Sequence, residues 1–165
     1  MRDVKQRPSL YLYELAWILP SLAIPAGMLA ALLVTAFGAG IHLPGREERI
    51  DPARVSQTPP FDSPGVVELA PGRYEARMTA QIWTFTPNEI RVPAGSTVTF
   101  VATSKDVTHG LLIRGANVNV MLIPGQVARV TARFDRPGEY PFVCHEYCGI
   151  VHHTMWGKVI VEARR

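Results

Sequence analysis

A long uncharged stretch near the N-terminus limits the possible folds of this chain more than any other feature. No Asp, Glu, Lys or Arg occurs between Glu14 and Arg46, and residues 15–37 are almost wholly apolar. About 20 apolar residues in helical conformation span the hydrocarbon core of a bilayer. Lipid offers no hydrogen-bond partners to a peptide backbone, and a helix satisfies its own backbone groups. We therefore predict one transmembrane helix within residues 1–41.

A cleaved signal peptide is the alternative to a retained anchor, because the small residues at positions 36–40 are similar to a cleavage site. Signal sequences have an apolar segment of only about 7–15 residues, so the length of this segment favours the anchor. Pro20 and Pro25 lie inside the predicted helix, where each removes a backbone donor and favours a kink. Neighbouring helices of a partner can compensate such gaps.

The charges that flank the predicted helix indicate its direction in the membrane. Arg2, Lys5 and Arg7 precede it, whereas the charges that follow it are mixed. The positive-inside rule then places the N-terminus in the cytoplasm and the C-terminal part outside. Glu14 lies at the cytoplasmic end of the helix. It is either a carboxylate solvated at the membrane edge or a proton-uptake group, since ionisable residues near a bilayer are often functional.

A proline-rich segment follows the anchor. Its prolines lie close together among glycines and charged residues, within residues 42–65. This composition favours an extended linker over a helix. His42 lies here without a cysteine or a second histidine nearby, so we interpret it as an interface residue rather than a metal ligand.

Residues 66–165 are predicted to form an all-β domain. Short runs rich in Val, Thr, Ile and aromatic residues recur between Pro and Gly turns, a pattern typical of a β-sandwich. The predicted strands cover residues 74–79, 81–85, 89–92, 97–102, 110–113, 127–134, 140–143 and 157–162. The formal net charge is only +3, without a cluster of Lys and Arg among aromatic residues, so the sequence does not indicate a nucleic-acid partner.

The last predicted loop of this domain carries soft metal ligands. Cys144, Cys148, His152 and Met155 follow one another at intervals of four, four and three residues. Thiolate and thioether are soft ligands and imidazole is intermediate, a set that suits copper better than calcium or magnesium. A mononuclear blue-copper site needs one Cys and two His, and His109, between two predicted strands, fits as the upstream imidazole. Because two cysteines are present, their thiolates can instead bridge two coppers, with one His on each.

Three other interpretations of this loop stay open. Cys144 and Cys148 are the only cysteines of the chain, and in an oxidising compartment they could form a disulfide. A disulfide does not account for the histidines or for Met155. A structural zinc site fits the ligand types but also leaves Met155 unexplained. A copper chaperone with a C-x-x-x-C pair is expected to alternate strands and helices, a pattern that this sequence lacks.

The pattern C-x-E-x-C-G-x-x-H-x-x-M, with D-V-x-H upstream, resembles the CuA domain of haem–copper oxidase subunit II. The resemblance extends over nearly the whole chain, and the single anchor is similar to that of the B-type oxidases. It implies a cupredoxin-like Greek-key β-sandwich with one N-terminal transmembrane helix, and a binuclear centre of two copper ions. The ligands it implies are His109, Cys144, the backbone carbonyl of Glu146, Cys148, His152 and Met155.

The resemblance also implies a function within cytochrome c oxidase of a prokaryotic plasma membrane. Electrons come from a c-type cytochrome or a small copper protein and pass to haem in subunit I. Oxygen is reduced in that subunit, with proton translocation, so the oxygen-reducing site lies outside this chain. The alternative is a membrane-tethered copper shuttle or carrier that is not part of an oxidase.

Further residues receive roles from the same resemblance. Trp83 and Phe85 are candidates for electron uptake, with ordinary packing as the alternative. The Glu146 carboxylate is a candidate magnesium ligand at a subunit interface, because a carboxylate is a hard ligand. The ligand spacing favours His152 over His153, and we expect His145 to face solvent or a partner.

Overall fold

The computed structural model describes residues 8–38 and 49–163 of the chain. The chain divides into two compact units, Met1–Gly45 and Arg46–Arg165. Four residues with a predicted role lie outside the described ranges: Arg2, Lys5, Arg7 and His42. The first three carry the predicted direction of the helix in the membrane, which therefore stays a prediction.

The described part of the first unit forms a helix, α1, which spans Pro8–Gly38 and has 31 residues. At about 1.5 Å per residue this helix is longer than the roughly 30 Å hydrocarbon core of a bilayer. It continues through Pro20 and Pro25. The Ser21 hydroxyl donates a hydrogen bond to the Trp17 carbonyl oxygen at 2.6 Å, so this polar side chain is satisfied within the helix. The predicted apolar helix of membrane-spanning length is confirmed.

The second unit is a β-sandwich. Its strands are β1 (Gly65–Ala70), β2 (Arg73–Gln81), β3 (Thr84–Thr86), β4 (Glu89–Pro93), β5 (Ser96–Ser104), β6 (His109–Ile113), β7 (Val118–Leu122), β8 (Ala128–Phe134), β9 (Gly138–Val143) and β10 (Trp156–Glu162). One five-stranded sheet has the order β1-β2-β5-β8, with β3 paired to β2, and the other has the order β4-β10-β9-β6-β7. The predicted all-β sandwich is confirmed.

Aromatic rings fill the space between the two sheets. Phe85 and Phe142 meet edge to face with their centroids 5.3 Å apart, and Phe100 meets Phe134 in the same way at 6.2 Å. All four rings are almost fully buried, and burial of one such side chain stabilises a fold by about 1.5–3 kcal/mol. The same buried cluster includes Met155. The hydrophobic core therefore continues up to the loop that carries the candidate ligands.

The segment before the sandwich differs from the extended linker that its prolines suggest. Pro52–Gln57 is a 3-10 helix, and the Asp51 side chain accepts a hydrogen bond from the Ala53 N–H at 3.0 Å. A proline in the first turn and an aspartate at the N-cap both favour the start of a helix. A second buried cluster joins this segment to the sandwich: Ile50, Val55, Phe61, Val101 and Val127. Residues 50–61 thus belong to the folded domain.

Two strands, β1 and β7, differ from the prediction because no strand was expected there, and a third, β3, begins later than expected. β1 has no fully buried residue, so it lacks the pattern of a half-buried strand. β7 does alternate between an inward and an exposed face in the structure, but it is only five residues long and one of its two exposed residues is the apolar Met121, so its sequence shows the alternation poorly. Both are stabilised by pairing with a neighbouring strand, which outweighs local preference. The strand predicted over residues 81–85 is instead interrupted by a turn at Ile82 and Trp83, after which β3 begins.

Candidate metal centre

The candidate ligands lie on one loop and at the start of one strand. The loop connects β9 to β10, and His109 is the first residue of β6, which pairs with β9. The Cys144 N–H donates to the Met155 carbonyl oxygen at 3.0 Å. Within the loop, His152–Thr154 forms a 3-10 helix. Backbone hydrogen bonds thus hold the two ends of the ligand loop together.

The first half of the centre is built around Cys144. Its Sγ is 3.8 Å from His109 Nδ1 and 3.2 Å from the Glu146 carbonyl oxygen. The Gly110 N–H also points at this sulfur, with the nitrogen 3.5 Å away. His109 and Cys144 are both buried. One thiol therefore shares a position shielded from water with an imidazole nitrogen and a carbonyl oxygen.

The second half repeats this arrangement around Cys148. Its Sγ is 3.4 Å from His152 Nδ1 and 3.7 Å from Met155 Sδ, and Met155 is buried. The sulfurs of Cys144 and Cys148 are 3.8 Å apart, whereas a disulfide bond measures about 2.05 Å. Both residues are free cysteines. The two sulfurs thus lie side by side, and each has one imidazole nitrogen beside it.

Asp106 orients His109, a role that the sequence analysis does not assign. Its Oδ1 lies 2.8 Å from His109 Nε2. Burial alone would raise the pKa of Asp106, but hydrogen bonds from the Ile82 N–H, the His109 ring and the Val107 N–H together lower it below the usual value. The ionised carboxylate only accepts, so His109 Nε2 carries the proton and Nδ1 offers its lone pair towards Cys144. The D-x-x-H spacing is the sequence signal from which this pair could have been found.

The chemistry of the donors fits copper. Burial and the neighbouring Cys144 thiol raise the pKa of Cys148 to about 11, so at neutral pH a metal must displace the proton of this thiol, as soft metals do. Ligand atoms of His109, Cys144 and Cys148 lie within 4.8 Å of one another. Thiolate, thioether and imidazole are together a copper-type set.

Trp83 contacts the ligand loop, whereas Phe85 packs in the core. The Trp83 indole N–H donates to the Cys148 carbonyl oxygen at 3.1 Å. A Cβ on Gly149 would lie 3.1 Å from that indole nitrogen, and Gly149 has a φ of 119°. Glycine therefore allows both the turn and the close approach of the ring. Phe85 packs against Phe142 instead, because the turn before β3 breaks the period-two spacing that would put both aromatics on one face.

The remaining candidate residues are spread more widely. Glu146 has a side chain that is 41% exposed, and its Oε1 lies 3.4 Å from His145 Nδ1. His145 also contacts the Val120 carbonyl oxygen through Nε2, at 3.3 Å, so it faces the β6–β7 hairpin rather than solvent alone. His153 is exposed on the loop, and Glu14 is exposed on α1, in the other unit of the chain.

A β-sandwich with soft ligands on the loop between its last two strands, and one histidine at the start of an earlier strand, defines a cupredoxin-like copper protein. The chain matches the cupredoxin-like domain family over residues 61–161. It is 37% identical over 162 residues to a cytochrome c oxidase subunit 2 of Thermus thermophilus, and the match covers 96% of each chain. The chain belongs to the cytochrome c oxidase subunit 2 family.

Two further relatives agree with this membership. A second cytochrome c oxidase subunit 2 of Thermus thermophilus is 40% identical over 126 residues, which cover 75% of this chain and 93% of the relative. A chain of a solved heme-copper terminal oxidase dimer matches with a TM-score of 0.72 and 36% identity, covering 91% of this chain and 99% of the other. The chain is therefore a subunit of a haem–copper oxidase, an oxidoreductase complex, and a free-standing copper carrier is not favoured.

Proposed function

We propose that the centre holds two copper ions bridged by the thiolates of Cys144 and Cys148. The pairing of donors carries this proposal, because each sulfur has its own imidazole and its own third donor within 3.8 Å. A mononuclear site would need only one of the two cysteines and would leave the other thiol buried without a partner metal. The proposed ligands are His109, Cys144, the Glu146 carbonyl oxygen, Cys148, His152 and Met155.

Two thiolate bridges suit a site whose task is to carry one electron at a time. The copper pair supplies one-electron redox chemistry with the charge spread over both metals. The residues of this chain keep the geometry constant, because the ends of the loop are hydrogen-bonded and Asp106 holds the ring of His109. Met155 lies in the hydrophobic core and helps to exclude water. A site that rearranges little on reduction exchanges electrons quickly.

An exposed apolar surface at the ligand loop fits a transient electron donor. Ile82, Tyr147 and Ile150 are 45%, 78% and 87% exposed, and exposed apolar groups of this kind mark interaction sites. Redox partners bind through small interfaces. We propose that a c-type cytochrome or a small copper protein docks here and that Trp83 takes up the electron, since its indole is hydrogen-bonded to Cys148. The burial of Phe85 supports a packing role for that residue.

Electrons then pass to haem in subunit I of the oxidase, where oxygen is reduced and protons are translocated. The apolar side chains of α1 are exposed along its length, which supports contacts with lipid and with subunit I. The proposed location is a prokaryotic plasma membrane, with the N-terminus in the cytoplasm and the copper domain outside. Glu14 stays a candidate proton-uptake group of this assembly, with a carboxylate solvated at the membrane edge as the alternative.

Magnesium at the interface with subunit I is a separate part of the proposal. The carbonyl oxygen of Glu146 is directed at Cys144, whereas the carboxylate of the same residue is 41% exposed. A carboxylate on this side of the loop is a hard ligand that suits magnesium. Metal analysis of the intact oxidase, with and without Glu146→Gln, would test this assignment.

Purification from membranes tests the proposed function. In a mild detergent the full chain should co-purify with a haem protein and carry two copper ions. Cys148→Ser should lower the copper content, whereas His153→Ala, a change at an exposed residue of the same loop, should leave it unchanged. A chain that comes out without haem and with one copper per chain would support the shuttle or carrier instead.

A further inference from the structure

The imidazole ring of His145 occupies the space that a side chain at position 110 would need. A Cβ on Gly110 would overlap the Nε2, Cδ2 and Cε1 atoms of this ring. Gly110 does not have a positive φ, so the backbone conformation does not call for glycine there. The absence of a side chain at Gly110 therefore provides room for the His145 ring.

His145 connects the ligand loop to both strands of the β6–β7 hairpin. Its ring lies over Gly110 in β6, and its Nε2 is 3.3 Å from the carbonyl oxygen of Val120 in β7. A carbonyl oxygen only accepts hydrogen bonds, so Nε2 carries a proton. On its other side, Nδ1 is 3.4 Å from Glu146 Oε1. The side chain is only 24% exposed, so most of the ring is packed against the protein.

Two residues that the His145 ring contacts, Gly110 in β6 and Glu146 in the ligand loop, also contact the same sulfur. The Gly110 N–H points at Cys144 Sγ, at 3.5 Å, and the Glu146 carbonyl oxygen is 3.2 Å from that sulfur. In the sequence, His145 stands directly between Cys144 and Glu146. A shift of the His145 ring would therefore move the backbone between the proposed ligands Cys144 and Glu146. It would also move the Gly110 N–H, which faces the thiolate.

We propose that His145 is a positioning residue for the Cys144 half of the copper centre. Its ring packs on Gly110, keeps the Gly110 N–H directed at the Cys144 thiolate and fixes the orientation of the Glu146 carbonyl. This inference rests on the proposed copper function, because it assigns a role towards ligands of that centre. His145 itself binds no metal in this assignment.

The direction of the effect follows from the chemistry of a thiolate ligand. Hydrogen bonds and apolar shielding around a cysteine sulfur tune the redox potential of a copper site. A donor that faces the thiolate withdraws electron density from it and favours the reduced state. Without the His145 ring, the Gly110 N–H is held less firmly and water can reach the Cys144 sulfur. Both changes favour the oxidised state of the copper site. The equilibrium constant for reduction should fall by about two- to tenfold, the effect of one hydrogen bond.

A double-mutant cycle on the purified, copper-loaded full chain tests the inference. The variants are His145→Ala, Gly110→Ala and the double variant, and the readouts are the midpoint potential, the copper hyperfine pattern and the rate of copper loss to a chelator. His145→Ala should lower the midpoint potential. Gly110→Ala should disturb the spectrum strongly beside His145 and much less beside Ala, because the new methyl group then enters empty space. His153→Ala, on the same loop, is the control and should match the wild type.

Two results would overturn the inference. One is a His145→Ala variant whose midpoint potential and spectrum match those of the wild type. The other is a Gly110→Ala effect of equal size in both backgrounds, since coupled residues show non-additive effects. If Gly110→Ala does not fold, the comparison of His145→Ala with His153→Ala still decides. A wild-type chain that shows one localised copper would contradict the proposed function, and the rates of copper loss would then still show whether His145 supports Cys144.

Discussion

The indole N–H of Trp83 is hydrogen-bonded to the carbonyl oxygen of Cys148 at 3.1 Å, although 65 residues separate them in the chain. The neighbouring Ile82 N–H donates to Asp106 Oδ2 at 2.7 Å, and Asp106 in turn holds His109. One turn therefore contacts the Cys148 half of the centre directly and the His109 half through Asp106. A partner that docks on this turn lies one or two hydrogen bonds from the ligands.

Trp83→Phe should slow electron uptake without removing the copper. Phenylalanine keeps an aromatic ring against Gly149 but loses the N–H that reaches Cys148. The lost hydrogen bond should also lower the stability of the domain by about 0.5–1.5 kcal/mol. Stopped-flow reduction by a reduced c-type cytochrome measures the rate. Trp156→Phe, an exposed tryptophan directly after Met155, is the matched control, and equal slowing in both variants would argue against a special role of Trp83.

Asp106→Asn should weaken copper binding about 10- to 100-fold, the usual effect of substituting a residue that is hydrogen-bonded to a metal-ligating histidine. The amide loses the negative charge that stabilises the proton on His109 Nε2, although it keeps a hydrogen-bond acceptor. Competition with a copper chelator measures the affinity. Asp135→Asn is the control, because Asp135 forms an exposed ion pair with Arg133 at 2.6 Å. Equal affinities for wild type and Asp106→Asn would show that Asp106 does not support the ligand.

Phe61→Ala should destabilise the sandwich by about 3–5 kcal/mol, the usual cost of truncating a buried phenylalanine. Its ring is 1% exposed and packs with Val101 and Val127, far along the chain from the copper ligands. Urea unfolding monitored by tryptophan fluorescence gives the free energy of unfolding. Leu69→Ala, at a residue that is 58% exposed, should change it by less than about 0.5 kcal/mol. A loss equally small for Phe61→Ala would mean that residues 50–61 do not stabilise the domain.

The sequence reveals the ligand loop more readily than its surroundings. Four of the five proposed side-chain ligands fall within twelve residues and have a distinctive chemistry, so their spacing alone suggests a copper site. The position of Trp83 depends on the pairing of β2 with β3 and on the turn between these strands, which no local pattern specifies. The contact between His145 and Gly110 likewise depends on how β6 passes the loop, a feature of tertiary structure.

The elements that the sequence pattern does not predict depend on contacts with other parts of the fold. β1 has no buried residue, and the short β7 carries the apolar Met121 on its exposed face, so the sequence pattern of both is weak and pairing with a neighbouring strand stabilises them. The prolines of residues 50–61 suggest an extended linker, yet Val55 and Phe61 find an apolar surface on the sandwich. Apolar residues inside a polar, proline-rich segment are a signal that could have moved the domain boundary towards residue 46.

Electron paramagnetic resonance of the purified full chain after copper loading tests the central claim most directly. We expect a seven-line copper hyperfine pattern, because in the proposed centre one unpaired electron is shared equally by two coppers bridged through Cys144 and Cys148. Cys148→Ser should abolish that pattern. A four-line pattern in the wild type, with one copper bound per chain, would mean a localised mononuclear site and would contradict the binuclear centre.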